Sequence, residues 1–82
     1  MNLIKFGAFG HAKPCERLRG ALEELGIDYN IQLIDITAEP ELGEEWNILL
    51  PPTVILVDDD RNEIRRIVGL QSQEKFKEWL SE

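Results

Sequence analysis

The sequence predicts an α/β fold, with a four-stranded mixed sheet flanked by three helices in the order β-α-β-α-β-β-α. Three observations predict it. Short apolar runs of strand length alternate with stretches of helical periodicity. The first two strands are separated by a helix-length segment, so they should run parallel with a right-handed crossover. The last two are separated by a short polar turn, so they should form a hairpin.

Each element has its own signal. Leu3-Ile4-Lys5-Phe6 is an apolar run ending at Gly7, a first strand buried on both faces. The segment Gly7-Ala8-Phe9-Gly10-His11 reads as a loop. A helix should span residues 13–25, with Cys15, Leu18, Ala21, Leu22 and Leu25 on its buried face. Pro14 belongs in its first turn, where the missing N–H costs nothing. Gly26 suits the position just past its end. Residues 29–36 read as the second strand, rich in Ile and Leu. Residues 40–46 form a short helix opened by Thr37 or Glu39. Thr53–Val57 is a strongly apolar third strand, and Glu63–Val68 a fourth, whose apolar phase slips by one and so admits a bulge. Ser72 can cap a last helix that buries Phe76, Trp79 and Leu80.

Composition narrows the function. The 82 residues suffice for one domain covering the whole chain, and 43% of them are hydrophobic. A net charge of −7, from 16 acidic and 9 basic residues, disfavours a phosphate backbone as partner. No run approaches the roughly 18 apolar residues that span a bilayer. The N-terminus has no basic region and no cleavage signature. One Cys and one His fill neither a disulfide framework nor a tetrahedral zinc site. No cofactor is called for. An unpaired thiol suits the cytoplasm, and the chain is expected to be a monomer there. Asp58-Asp59-Asp60 lacks the spacing of a calcium loop and reads as a solvated hairpin turn.

Three local patterns, in order along the chain, carry a family resemblance. His11-Ala12-Lys13-Pro14-Cys15, at the start of the first helix, resembles the W-C-G-P-C turn of the thioredoxin family. Glu45 to Thr53, ending Leu50-Pro51-Pro52-Thr53, is similar to that family's stretch leading into its cis-proline, which falls on Pro52. Val68-Gly69 matches the glycine that follows the last strand and lines the substrate groove. The resemblance spans essentially the whole chain and implies a minimal thioredoxin fold of glutaredoxin size.

That resemblance also implies a chemistry. The family's first cysteine is a thiolate at a helix N-terminus, where free N–H groups and the helix dipole stabilise negative charge. It attacks a substrate disulfide, and the second cysteine resolves the mixed disulfide. In this chain the nucleophile position is Ala12, and only the resolving position, Cys15, keeps its sulfur. The dithiol cycle is therefore not expected of the chain as written. Two readings of Ala12 are open: a family member that has lost its nucleophile and serves as a redox-silent binding adaptor, or an engineered variant of an active Cys-Lys-Pro-Cys protein. The implied substrate-binding residues are His11, Lys13, Pro14, Pro51, Pro52, Thr53 and Gly69. The implied partners are disulfide-containing proteins and a thioredoxin-reductase-type electron donor.

Other departures bear on the site. Where the family buries an acid near the end of the first strand, this chain offers Lys5 or Phe6. Pro51 has no N–H to give to a substrate backbone. Glutathione recognition is not expected, because Leu50-Pro51 replaces the Thr-Val of glutaredoxins and Gly69-Leu70-Gln71-Ser72 replaces their Gly-Gly-Asp. On their own, His11 is an ordinary loop residue, Lys13 a solvated helix-start cation, and Cys15 a small buried hydrophobe. Trp46 and Trp79 are expected to be packing residues.

Overall fold

The computed structural model describes residues 1–7 and 12–82, with the side chains of residues 12–14 excepted. Its elements are β1 (Asn2–Gly7), α1 (Ala12–Glu24), β2 (Asn30–Asp35), α2 (Pro40–Glu45), β3 (Thr53–Val57), β4 (Glu63–Val68) and α3 (Gln73–Leu80). The four strands form one sheet in the order β2-β1-β3-β4. β1 pairs parallel with β2 and antiparallel with β3, and β3 pairs antiparallel with β4. This is the thioredoxin fold expected from the sequence.

Strand alternation sends successive residues of β1 to opposite faces. Leu3 joins Leu18, Leu22, Val54, Phe76 and Trp79 in a core beneath α1 and α3. Ile4 and Phe6 join Ile34, Ile55 and Val57 in a second core, against which Leu42, Trp46 and Ile48 pack. Covering on both faces explains why all five residues of β3 are buried, and why its sequence is continuously apolar rather than alternating. The edge strands are more open: Leu33 of β2 and Ile64 of β4 are largely exposed.

Local chemistry fixes the element ends. α1 closes in a Schellman motif, in which Gly26 N–H donates to the Glu23 carbonyl and Ile27 N–H to the Leu22 carbonyl, each at 3.1 Å. Gly26 takes φ 66°, a left-handed conformation that favours glycine. The helix is over before Leu25, which is 37% exposed and not part of the buried stripe expected for it. α2 begins with Pro40, and its N-cap is Glu39, whose side chain makes no capping bond. Thr37 takes no part in that cap, because its N–H and hydroxyl both donate to the Asp35 carboxylate. Ser72 caps α3, accepting from Lys75 N–H at 3.1 Å.

The β3–β4 hairpin turns on Asp58, whose Oδ1 accepts from the N–H groups of Asp60 and Asn62, each at 2.9 Å. The register then steps from Val57↔Glu63 to Leu56↔Arg65, so Ile64 is the extra residue of a bulge. Arg65, re-aimed beyond it, lies 5.8 Å over the Trp79 ring. It donates to the carbonyls of Trp79 and Leu80, satisfying the open C-terminal end of α3.

Candidate functional site

The topology brings one set of chain ends together. Because β1 and β3 are antiparallel, the C-terminal end of β1 meets the N-terminal end of β3, and Phe6 pairs with Thr53. The peptide bond Pro51-Pro52, immediately before β3, is cis. Pro52 is buried, and its carbonyl accepts a 2.7 Å bond from Gly69 N–H. Gly69 has φ 88°, so the chain turns sharply out of β4 at that bond. Thr53 is also buried, and its hydroxyl donates to the Leu50 carbonyl at 2.7 Å, closing the turn on itself. Pro52 and Thr53 thus form one cluster with Gly69, which is distant from them in sequence. Pro51 is half-buried beside them.

The α1 side of the site is described only in part. His11 lies outside the described residues, as do the side chains of Ala12, Lys13 and Pro14, whose backbone forms the first turn of α1. Cys15 follows, buried on the inner face with a free thiol. On β1 the register decides between the two residues proposed for the family's buried acid. Phe6 belongs to the α2 face, its ring 6.0 Å from that of Trp46. Lys5 points the other way, toward α1, and is 5% exposed. Burial holds its ammonium below the ordinary lysine range, and the negative charge of a Cys15 thiolate opposes that shift.

Arg66 is a structural member of the site that sequence reasoning missed. Its guanidinium donates to the carbonyls of Trp46 (2.9 Å) and Asn47 (3.3 Å), and pairs with Glu63 through Nε at 2.8 Å. It thereby ties β4 to the segment that leads into Pro51, at a point where Asn47 takes φ 55°. Only the Glu63–Arg66 charge pair is visible in the sequence, and such spacing is ordinary. A shallow cavity of about 340 Å³ lies here, lined by Asn47, Leu49, Leu50, Thr53, Arg66 and Val68. Leu49 in its lining is 86% exposed, and Leu70, following Gly69, is 65% exposed. Gln71, just past β4, donates from Nε2 to the Val68 carbonyl at 2.8 Å.

Among the described residues, no group of three or more His, Cys, Asp or Glu side chains could hold a metal ion. Among them, too, no helix is long and apolar enough to cross a membrane.

Comparison with known proteins agrees with this geometry. No family model matches the sequence. The SPbeta prophage-derived thioredoxin-like protein YosR of Bacillus subtilis is 31% identical over 74 residues, covering 90% of this chain and 89% of that protein. Thioredoxin of Chlamydia muridarum is 32% identical over 71 residues, covering 83% of this chain and 69% of its own length. A mutant thioredoxin from Halobacterium salinarum superposes with a TM-score of 0.71 at 26% identity, over 98% of this chain and 71% of that one. Sequence identity over nearly the full length of a relative and the β2-β1-β3-β4 sheet lead to the same place: the chain belongs to the thioredoxin-like family.

Proposed function

We propose that this chain is a thiol-disulfide oxidoreductase of the protein-disulfide-reducing type, present in a form that lacks its nucleophile. The observation that carries this reading is Ala12 at the first position of α1, followed three residues later by Cys15. With a cysteine at position 12, its thiolate would attack one sulfur of a substrate disulfide and expel the other as a thiolate. The Cys15 thiol, once deprotonated, would then attack the mixed disulfide. That would release the reduced substrate and leave a disulfide between positions 12 and 15 for the electron donor to reduce. A methyl group can do none of this.

The roles follow from that reading. Ala12 marks the nucleophile position, and Cys15 is the resolving cysteine. Substrate binding is assigned to His11, Lys13, Pro14, Pro51, Pro52, Thr53 and Gly69. The partners are disulfide-containing proteins and a thioredoxin-reductase-type donor, met by a monomer in the cytoplasm. No cofactor takes part.

The test is insulin-disulfide reduction with dithiothreitol. Ala12→Cys is expected to turn over, whether Ala12 is natural or an engineered replacement. The unmodified chain is expected to show background only. Substantial turnover by the unmodified chain would contradict the role given to Ala12. A second reading, a redox-silent adaptor that binds a protein through the same groove, is favoured by the exposed leucines at 49, 50 and 70. It gains if Ala12→Cys folds, forms its disulfide and still reduces nothing.

A further inference from the structure

Charge is spread unevenly along this chain. From Asp28 to Asp60 there are nine acidic residues and no lysine or arginine. The rest of the chain holds seven acidic and nine basic residues, so the net charge of −7 comes from that one stretch. The fold gathers part of it beside the candidate site. Glu39, Glu41, Glu44 and Glu45 belong to α2 or its N-cap, and all four are exposed. Among the described residues, none of them forms an ion pair.

This placement opposes the stability of α2. Glu41 stands three and four residues from Glu44 and Glu45, spacings at which like charges repel. Glu44 and Glu45 end the helix, where its dipole disfavours negative charge, and its last turn has no basic residue.

An apolar groove runs beside these glutamates. The cavity next to Thr53 adjoins a second one of about 440 Å³, lined in part by Ile36, Gly43, Glu44 and Ile48. Asn47 and Leu49 line both. Leu49 and Leu50 are exposed there. Arg66 is the one basic residue, among the described residues, that lines either cavity, and its charge is matched by Glu63. The groove is therefore apolar in its lining and negative along its α2 side.

Charge selects the occupant. A second copy brings the same acidic face, and a nucleic acid or an anionic membrane is repelled as well. We infer that the groove at Leu49 takes a polypeptide segment that sets an apolar side chain on Leu49 and Leu50 and a lysine or arginine beside the α2 glutamates. The inference rests on the oxidoreductase reading and names its substrate class: protein disulfides flanked by basic residues. Docking is noncovalent, so the test needs no turnover.

Three fluorescein-labelled peptides are compared by anisotropy, each with a Leu-Ser-Leu centre flanked on both sides by paired lysines, glutamines or glutamates. At about 0.01 M salt, the unmodified chain is expected to bind the lysine peptide about tenfold more tightly than the glutamine peptide, and the glutamate peptide more weakly still. At about 1 M salt the Debye length is about 3 Å, and the lysine advantage is expected to shrink below about twofold. Leu49→Ser is expected to weaken the lysine and glutamine peptides alike, by about fivefold.

Two double variants place the charge effect. Glu44→Lys with Glu45→Lys is expected to abolish the lysine advantage. Glu74→Lys with Glu78→Lys changes the net charge equally on α3, which covers the other core, and is expected to leave most of that advantage. Equal losses in the two variants would overturn the inference. So would equal affinity for the lysine and glutamine peptides, or no detectable binding of the lysine peptide. Insulin reduction by Ala12→Cys without the lysine preference would count against the inferred substrate class alone. The preference without turnover by Ala12→Cys would count against the oxidoreductase reading alone.

Discussion

Gly26 and Pro51 are both defined by what they lack. Gly26 holds φ 66°, and a Cβ placed there would meet nothing within 4 Å. Replacing it by alanine therefore costs backbone strain alone, and Gly26→Ala is expected to lose about 1 kcal/mol of stability in urea unfolding. A neutral result would mean that the Schellman closure contributes nothing. This residue was legible because a glycine directly after an apolar helical stripe is a common way for a helix to end. Leu25, its neighbour, falls outside the stripe for a related reason: helical periodicity does not say where the helix stops, and α1 ends at Glu24. Lys5 was legible only as one of two candidates, since a sequence without strand register cannot decide which face a residue takes.

At the scale of elements, α1 and α3 meet at Gly20, where a Cβ would stand 2.7 Å from the Gln73 Oε1. Alanine gains about 1 kcal/mol over glycine inside a helix, but the Gln73 amide, which hydrogen-bonds Glu24, would have to swing away. Gly20→Ala is expected to stabilise by less than that propensity gain in the native background, and by the full amount when combined with Gln73→Ala. Equal gains in both backgrounds would show that the close approach has no cost. The link between β4 and the segment before Pro51 depends on Arg66. Removing it in Arg66→Met leaves the Trp46 and Asn47 carbonyls without this donor, an expected loss of about 1–2 kcal/mol in urea unfolding. Glu63→Gln, which removes only a partly exposed ion pair, should cost no more than a few tenths. Beyond its charge pair with Glu63, nothing in the sequence marks Arg66, because its other partners are backbone carbonyls, and those have no residue signature.

The whole molecule's response to acid combines two opposing effects. Glu24, Asp35 and Glu63 are all held below the ordinary carboxylate range, mainly by hydrogen bonds from Gln73, Thr37 and Arg66 respectively. A depressed carboxylate contributes stability that is complete above its unfolded-state value and is lost as pH falls through the folded one. Against this, the net charge of −7 shrinks as acid is added, which relieves self-repulsion. The urea midpoint is expected to hold between pH 7 and 5 and to fall below about pH 4, where the carboxylate losses dominate. A midpoint still rising at pH 3 would refute that balance. The order of elements was readable from apolar periodicity, and the parallel β1–β2 pair and the β3–β4 hairpin from connection lengths, whereas the antiparallel pairing of β1 with β3 was not. The partial exposure of β2 was not, because its apolar run resembles that of a central strand while its place in the sheet is at an edge. One consequence follows from β1 and β3 being adjacent in the middle of that sheet. The turn ahead of Thr53 is anchored on a strand that is laddered on both sides, so it cannot swing away without unzipping the centre of the molecule. A guest that docks against Pro52 and Gly69 meets, on that side, a mould that is already cast, and its fit there is decided by its shape and greasiness.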